Sequence, residues 1–305
     1  DYQKIYGSIG SSKSIASILK YNENQSEFAT KVNINPFIKA TEKANIGIIG
    51  AGNFTKMTML PILKKTTANL YSIASAGGVT GTALAKKYNI NFSTTDYNSI
   101  LKDENVDLVL VTTRHNNHAD LVIECLQNNK NVFVEKPLAI APEQLEKVEK
   151  AYQENGYNNA IHVGFNRRFS PHAQKLKTVL GTAPMNIIAT MNAGTIPANV
   201  WVHDMQVGGG RIIGEACHFI DLITFLTGSK VKAVCMNAMG VNPQENTDNA
   251  TILLQYENGS TGVINYFANG SKSYEKERIE VYSQERTAII NNFRKLEVFG
   301  FKNLK

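Results

Sequence analysis

Two short stretches of the chain carry residues whose types suit acid–base chemistry. In the first, Lys136 follows the apolar run at 131–134 and stands between Glu135 and Pro137. A lysine at the end of a buried strand can donate a hydrogen bond to a reacting oxygen and stabilise charge on it. The alternative is a solvated lysine at a strand end. The neighbouring Glu135 and the rigid Pro137 favour the functional interpretation.

The second stretch is a predicted helix that contains His218. Its apolar residues repeat with helical spacing, and His218 falls outside that stripe. Glu215 and Asp221 lie three residues to either side, close enough on a helix to pair with it. We therefore predict a general base with an orienting carboxylate, and we assign that carboxylate to Glu215. A surface histidine in a salt-bridge cluster is the alternative, but the glycines at 208–210 favour close approach of a ligand.

Neither a thiol nucleophile nor a metal site is favoured. Adjacent helical positions point about 100° apart, so Cys217 would not face His218 and is interpreted as packing. His203 and His218 have no third ligand at a suitable spacing, and we predict no metal. The three cysteines form no C-x-x-C pair, which indicates neither a disulfide framework nor a zinc site and favours a reducing compartment.

A glycine-containing turn, Ile46-Gly-Ile-Ile-Gly-Ala-Gly-Asn-Phe-Thr55, suits a phosphate group. Gly50 and Gly52 let the backbone turn tightly and approach a pyrophosphate, and a helix opening at Asn53 would direct its N–H groups at that anion. The third position of the G-x-G-x-x-G fingerprint is Thr55, where a small residue is usual. An ordinary strand-to-helix loop is the alternative, and the phosphate-binding interpretation holds only if the following residues form a dinucleotide-binding fold.

From residue 45 those elements alternate between strand and helix. Six strands joined by five helical crossovers predict a doubly wound parallel sheet, a Rossmann domain at 45–165, and so favour a dinucleotide site at the glycine turn. Pro61 predicts a kink or early break in the first helix. The predicted strands are 45–50, 69–75, 91–94, 106–112, 131–134 and 160–165, and the predicted helices are 53–65, 80–88, 96–102, 117–129 and 142–154.

After residue 165 the pattern predicts an α+β domain, residues 166–305, with an open and mostly antiparallel sheet. Turns such as Asn258-Gly259 separate the strand-like runs. The fold class is therefore α/β with a second, α+β domain. Residues 1–44 are interpreted as a lead-in or linker with one short helix around Ile15, Ile18, Leu19 and Tyr21. The predicted strands are 185–193, 231–240, 250–256, 261–268, 278–283, 286–290 and 295–299, with helices at 170–180 and 212–227.

The composition is that of an ordinary soluble enzyme. The net charge of +6 favours phosphorylated or carboxylated ligands. The sequence lacks a basic block with interleaved aromatic residues, so we do not expect it to bind nucleic acid. There is no signal pattern, and no apolar run approaches the roughly 18 residues of a bilayer-spanning helix. We expect a cytoplasmic protein with a small-molecule substrate, no membrane partner, and a homodimer or tetramer formed through the open sheet.

The choice between NAD and NADP stays open. The end of the second strand, Ala74-Ser75-Ala76-Gly77-Gly78, lacks the acid that usually binds the adenosine ribose. Ser75 and glycine N–H groups could bind a 2′-phosphate. Equally, Ser75 could be an ordinary turn residue in a protein that binds NAD.

Together, these motifs resemble the glucose–fructose oxidoreductase, inositol dehydrogenase and rhizopine-catabolism family of NAD(P)-dependent oxidoreductases. The resemblance covers about residues 45–300. Details at 166–169, 196–201 and 214–221 are most similar to a branch fused behind a zinc-type alcohol dehydrogenase module in bacterial polysaccharide clusters, so we expect a longer polypeptide. The motifs that carry it are the Gly-Ala-Gly turn, Thr113-x-x-x-x-His118, Glu135-Lys136-Pro137, Asn166-Arg167-Arg168 and His218-x-x-Asp221.

The resemblance implies hydride transfer between nicotinamide and a secondary alcohol or ketone of a sugar or nucleotide sugar. Lys136 would hydrogen-bond the reacting oxygen, with a cis peptide to Pro137, and His218 would be the acid/base. The cofactor residues would be Gly50, Gly52, Asn53, Phe54, Ser75, Thr113, Arg114, His115, Glu135, Lys136 and Asn166. The substrate candidates, each with ordinary packing as its alternative, are Arg168, Asn192, Trp201 and Arg211.

Three positions depart from the family pattern. Gly214 stands where an Asp is frequent, Arg114 where a proline is usual, and Thr55 where Ala or Gly is frequent. Two other functions remain open on the same fold: a regulator that binds NAD(P) without turnover, and a glycosidase that borrows NAD for transient oxidation. Retention of both Lys136 and His218 argues against the regulator.

Overall fold

A mostly parallel sheet of seven strands occupies the first half of the described residues. The structure is a computed structural model and describes residues 7, 29–35 and 44–302. The strands are β1 (Lys31–Asn33), β2 (Asn45–Ile49), β3 (Asn69–Ala74), β4 (Phe92–Thr94), β5 (Leu108–Val111), β6 (Asn131–Val134) and β7 (Ile161–Val163). Their order is β1-β4-β3-β2-β5-β6-β7. All neighbours run parallel except β1, which is antiparallel to β4.

The six parallel strands confirm the predicted Rossmann sheet, with ends within two residues of the prediction. The chain reverses its direction across the sheet between β2 and β5, because β3 and β4 lie on one side of β2 while β5 to β7 lie on the other. Ligands of open α/β sheets bind at the carboxyl ends of the strands beside such a reversal. We therefore expect the ligand site among the residues that follow β2, β5 and β6.

Helices cover both faces of this sheet. They are α1 (residues 55–63), α2 (Val79–Tyr88), α3 (Asn98–Leu101), α4 (His118–Gln127) and α5 (Pro142–Glu154). β2 is buried along its whole length because both of its faces are covered. α1 consists of a π-helical turn, Thr55–Met59, and an α-helical turn, Leu60–Leu63. The helix continues past Pro61 to Leu63, so Pro61 does not end it as predicted; the regular hydrogen-bond ladder is interrupted instead by the π-helical turn before Pro61.

β1 lies in the segment that the sequence predicts to be a lead-in. It pairs Lys31 with Thr94 and Asn33 with Phe92 at the sheet edge. Its three residues are exposed and include one apolar side chain, so no alternating pattern could reveal it. The helix predicted around Ile15 lies outside the described residues.

The second sheet also has seven strands within the described residues. They are β8 (Asn186–Asn192), β9 (Val231–Ala238), β10 (Asn249–Tyr256), β11 (Thr261–Phe267), β12 (Glu277–Ser283), β13 (Arg286–Asn291) and β14 (Lys295–Phe299). The order is β14-β13-β12-β8-β11-β10-β9. β8 and β11 run parallel, and the other neighbours are antiparallel, as the sequence predicts.

Two helices cover one face of this second sheet. They are α6 (Pro171–Leu180) and α7 (residues 212–227), which joins π-helical Ile212–Ala216 to α-helical Cys217–Thr227. Leu176 and Phe219 from these helices pack on alternate strand residues such as Ile264 in a second core. No helix among the described residues is long and apolar enough to cross a membrane.

Candidate active site

The glycine turn after β2 is tied to the loop after β5. Gly50 has a φ of 114°, and a Cβ there would lie 2.7 Å from the Thr112 carbonyl oxygen. Thr55 is fully buried, and its hydroxyl donates to the Gly50 carbonyl at 2.9 Å and lies 2.7 Å from the Thr112 hydroxyl. Thr55 therefore replaces the small residue of the fingerprint with hydrogen bonds that hold the turn.

Gly52 differs from Gly50 because the surrounding protein leaves room for a side chain there. A Cβ at this position would have no heavy atom within 4 Å, so no protein group explains the absence of a side chain. Gly50 and Ala51 line a cavity of about 780 Å³ that extends past Ser75 to Tyr97. Space left beside a glycine before a helix N-terminus suits the pyrophosphate of a dinucleotide. The residues present therefore fit NAD.

This fit predicts that Gly52→Ala weakens NADH binding without weakening the fold. The added methyl group would occupy space for the phosphate and contact no protein atom. We expect the Kd for NADH to rise by at least about tenfold, measured by fluorescence titration, with an unchanged Tm. Gly50→Ala is the contrasting variant, and it should lower the Tm. Unchanged NADH affinity in Gly52→Ala would contradict the assignment.

The wall of this cavity also includes carboxylates. Asp120 and Glu124 line it, and its described lining includes no Lys or Arg. The Ser75 hydroxyl accepts a hydrogen bond from the Gly81 N–H at 3.1 Å and is thus engaged with the first turn of α2. The lining of this cavity therefore offers no cation to a 2′-phosphate, whereas Lys86 lines the adjoining space beside Gly77 and Gly78.

Lys136 follows β6, and its peptide bond to Pro137 is cis, as the family resemblance implies. Its Nζ donates a hydrogen bond to the Gly214 carbonyl oxygen at 2.7 Å. Gly214 lies in the π-helical turn of α7, where the regular α-helical hydrogen-bond ladder is interrupted. This contact brings the end of β6 to the start of α7. Beside it, burial raises the pKa of Glu135 to about 7, although the charge of Lys136 opposes the shift.

His218 lies with Lys136 on the wall of one cavity of about 310 Å³. Its Nδ1 atom is buried and has no hydrogen-bond partner among the described residues. Burial, and then the positive charges of Lys136, Arg167 and Lys276, lower the pKa of His218 to about 3. At neutral pH the imidazole is therefore uncharged and can accept a proton.

The carboxylates predicted to pair with His218 bind arginines instead. Glu215 accepts a hydrogen bond from Arg211 Nε at 3.1 Å, and Asp221 accepts two from Arg168. The π-helical turn changes the angular spacing between Glu215 and His218, so the three-residue rule for an α-helix does not hold there. The predicted orienting role of Glu215 is wrong in this geometry.

The two partly buried titrating groups, His218 and Glu135, predict opposite responses of stability to pH. The folded-state pKa of His218 lies below its unfolded value, so its contribution to stability is lost as the pH falls below about 6.5. The pKa of Glu135 is raised, so its contribution increases as the pH falls. Between pH 7 and 5, each change is about 2 kcal/mol in free energy of unfolding.

Urea unfolding at pH 7 and pH 5 checks this prediction. His218→Asn should lose less stability than the wild type on acidification, whereas Glu135→Gln should lose more. Identical pH dependence in the three proteins would show that neither residue titrates abnormally.

His115, with Arg114, contacts the second domain. Its Nδ1 lies 2.7 Å from the Gly208 carbonyl oxygen, and its ring packs edge-to-face with Trp201 at 4.8 Å between ring centroids. Burial lowers the pKa of His115 to about 4. The Arg114 guanidinium lies 5.7 Å from the Trp201 ring centroid. Thr113 lines both cavities, so this loop connects the dinucleotide cavity to Lys136 and His218.

The glycines at 208–210 have a structural explanation that differs from the predicted one. A Cβ on Gly208 would lie 2.4 Å from Val202 Cα, and one on Gly209 would lie 2.9 Å from the Ile140 side chain. The chain's own residues, rather than a ligand, approach these two positions. The glycines therefore do not support ligand approach at His218.

Of the four predicted substrate residues, Trp201 lines the His218 cavity. Arg168 is occupied by Asp221, and Arg211 is 3% exposed and also donates to the Gly194 carbonyl. Asn192 lies on the sheet face opposite α7, because strand residues alternate between faces, and its amide donates to the Ser271 carbonyl. These three side chains are engaged away from the cavity.

Two residues that the sequence interpretation left unassigned belong to this site. Arg167 lines the His218 cavity in place of Arg168. His118 is fully buried; its Nδ1 lies 2.8 Å from the Pro137 carbonyl and its Nε2 3.2 Å from the Thr113 carbonyl. It thereby connects the loops after β5 and β6. The Thr-x-x-x-x-His and Asn-Arg-Arg motifs signalled both residues, but neither motif specified which side chains face the cavity.

The remaining predicted cofactor residues surround the two cavities. Phe54, Glu135 and Asn166 line the His218 cavity. Asn53 precedes the π-helical turn of α1 and is exposed. Cys217 is half-buried, and desolvation raises the pKa of its thiol to about 11, which agrees with its interpretation as packing. Among the described residues, no group of three or more His, Cys, Asp or Glu could hold a metal ion.

Comparison with known proteins gives matches to two family models. One, described as an oxidoreductase family with an NAD-binding Rossmann fold, matches residues 44–165. The other, the GFO/IDH/MocA C-terminal domain, matches residues 183–289. Together they extend over most of the chain.

Individual relatives agree with these matches. The chain is 28% identical to the myo-inositol 2-dehydrogenase of Thermotoga maritima over 261 residues, 83% of this chain and 77% of that protein. It is 27% identical to the uncharacterized oxidoreductase YrbE of Bacillus subtilis over 262 residues, 83% of this chain and 75% of that protein. Levoglucosan dehydrogenase in complex with NADH has the same fold, with a TM-score of 0.73 at 21% identity over 84% of this chain and 76% of that one.

Proposed function

Because the chain belongs to the GFO/IDH/MocA family of oxidoreductases, we propose that it transfers a hydride between NAD and a secondary alcohol or ketone of a sugar, cyclic polyol or nucleotide sugar. The observation that carries the proposal is that Lys136 and the neutral His218 line one cavity, which Thr113 connects to the dinucleotide cavity. A proton acceptor and a hydrogen-bond donor beside a nicotinamide are what alcohol oxidation requires.

In the oxidation, His218 accepts the hydroxyl proton while Lys136 donates a hydrogen bond to the same oxygen. The Gly214 carbonyl holds the Lys136 ammonium in place, and burial keeps His218 free of a proton beforehand. When bound, NAD supplies the hydride acceptor and NADH the donor of the reverse reaction. In the reduction, protonated His218 returns the proton to the oxygen.

We assign NAD binding to the glycine turn and to residues along the two cavities. Gly50, Gly52, Asn53 and Phe54 would hold the pyrophosphate side. Ser75 would lie near the adenosine ribose, and Thr113, Arg114, His115, Glu135 and Asn166 would lie towards the nicotinamide. Residues 45–165 would thus form the cofactor domain and residues 166–305 the substrate domain.

The names of two relatives support a polyhydroxylated substrate. The Thermotoga maritima relative is named a myo-inositol 2-dehydrogenase, and the solved neighbour is a levoglucosan dehydrogenase. Trp201 lines the cavity and offers an aromatic face or edge to such a ring. We therefore place the substrate between Trp201 and His218.

The proposal is tested by mass spectrometry of the copurified cofactor, followed by a panel of sugars, cyclic polyols and nucleotide sugars assayed for NAD reduction. Turnover of a panel member with a net gain in NADH absorbance supports it. Release of free sugar with no net absorbance change would indicate the NAD-dependent glycosidase. Tight NAD binding with no turnover of any compound would indicate the regulator.

We also propose that the protein is cytoplasmic and that copies associate through the uncovered face of the second sheet. Leu253, Phe267 and Tyr282 share that face and are exposed. Burial of such side chains between two copies would stabilise a dimer. Sedimentation of the purified chain as a monomer at all concentrations would contradict this.

A further inference from the structure

The His218 end of the cavity is surrounded by positive charge. Lys136, Arg167 and Lys276 all act electrostatically on His218. Lys136 and Arg167 line the cavity itself. Lys276 is exposed and directly precedes Glu277, the residue that binds Arg167. Two of these cations therefore line the place assigned to the substrate, and the third, Lys276, lies near enough to act on His218.

The carboxylates nearby are largely neutralised by other arginines. Asp221 binds Arg168, and Glu215 binds Arg211. Glu277 offsets Arg167 alone, with an Arg167 Nη2–Glu277 Oε1 distance of 2.7 Å. Among the described residues, neither Lys136 nor Lys276 has a carboxylate partner within 4 Å.

Glu135 is the remaining carboxylate on the cavity wall. Its pKa of about 7 leaves it only partly ionised at neutral pH. It therefore cannot cancel the charges of both Lys136 and Lys276. The charged groups that line the cavity or act on His218 therefore carry a net positive charge.

Arg167 also retains hydrogen-bonding capacity. One end of its guanidinium donates to Glu277, and the group lies 5.2 Å from the Phe293 ring centroid. Its Nε is buried and has no partner among the described residues. An arginine fixed at one end presents its other donors in a planar geometry that suits carboxylate and phosphate oxygens.

Resting on the proposed function, we propose that the substrate is an anionic sugar whose carboxylate or phosphate group binds beside Arg167 and Lys276 while its reacting CH–OH group faces His218 and Lys136. The anion would offset the cations that act on His218, and it would thereby make the imidazole a stronger base when substrate is bound. A neutral polyol would leave those charges uncompensated. The net positive charge would also concentrate an anionic substrate at the cavity.

The test is calorimetric titration of the NADH-saturated protein with glucose, myo-inositol, glucuronate, glucose 1-phosphate and UDP-glucuronate, at low and high salt. We expect at least one anionic probe to bind about tenfold or more tightly than both neutral probes. This preference should shrink with salt because the lysine is exposed to solvent. The carboxylate and phosphate arms distinguish the two sources of the charge.

Lys276→Gln identifies the residue responsible, and it should reduce the preference about fivefold. Lys272→Gln, an exposed lysine of the same loop, is the matched control and should leave the preference unchanged. Equal binding of neutral and anionic probes, or a preference that survives both high salt and Lys276→Gln, would overturn the inference. Anion binding without NAD reduction would count against the proposed oxidoreductase function alone, and turnover of neutral sugars alone would count against the anionic substrate alone.

Discussion

Replacing Lys136 with methionine should lower kcat by about 10²- to 10⁴-fold. Methionine keeps most of the side-chain volume but removes the ammonium group that donates to the Gly214 carbonyl and, in our account, to the reacting oxygen. The negative charge that develops on that oxygen would then have no hydrogen-bond donor to stabilise it. Steady-state kinetics with a substrate from the panel measures the loss, and NADH titration should show a much smaller change in Kd.

Lys147→Met provides the control for Lys136→Met. Lys147 is exposed on α5, outside both cavities, so its replacement removes one positive charge without touching the site. Its kcat and KM should equal those of the wild type. Turnover by Lys136→Met within a few-fold of the wild type would exclude the role given to this lysine.

His218→Asn should produce a loss of similar size, about 10²- to 10⁴-fold in kcat, because asparagine cannot accept the hydroxyl proton. In the wild type, the pKa of about 3 keeps His218 uncharged across the usual assay range. The profile of kcat/KM against pH should therefore show no loss near pH 6.5, where an ordinary histidine would be half protonated. Measurement of kcat/KM from pH 5 to 9 checks both points.

His172→Asn, on α6 and away from the cavity, should leave both the rate and the pH profile unchanged. Two results would contradict the assignment of His218. One is a wild-type acid limb centred near pH 6.5 that His218→Asn abolishes, which would mean that the histidine titrates normally. The other is full activity in His218→Asn.

The strands and the broad location of the site could be predicted because local patterns determine them. β2 and β5 are short apolar runs buried on both faces, and β10 and β11 alternate around an Asn-Gly turn. Once the alternation of strands and helices predicts a parallel sheet, the carboxyl ends of its strands must lie along one edge. That rule places Gly50 and Lys136 on the same side before any coordinate is known.

Partners that depend on three-dimensional packing could not be predicted in this way. Glu215 is three residues from His218 in sequence, but it lies in a π-helical turn and its carboxylate binds the buried Arg211. Thr55 departed from a fingerprint, yet its hydroxyl bonds to Gly50 and Thr112, which is 57 residues away. The sequence patterns used here do not encode such long-range contacts.

The choice between Arg167 and Arg168 shows the same limit. Adjacent residues with identical chemistry point in different directions, so one binds Glu277 beside the cavity and the other binds Asp221 on α7. β1 illustrates the other extreme, because its three exposed residues carry too little pattern to be found. The direction of a side chain and the pairing of an edge strand could therefore be determined only from the structure.

We propose above all that a hydride passes from a substrate C–H bond to NAD in this cavity. Turnover of a panel substrate carrying deuterium at the reacting carbon, followed by mass spectrometry of the isolated cofactor, measures this transfer directly. We expect NADH that is one mass unit heavier in the wild type, and about 10²- to 10⁴-fold less of it from Lys136→Met in the same time. Unlabelled cofactor accompanied by product formation in the wild type would contradict it.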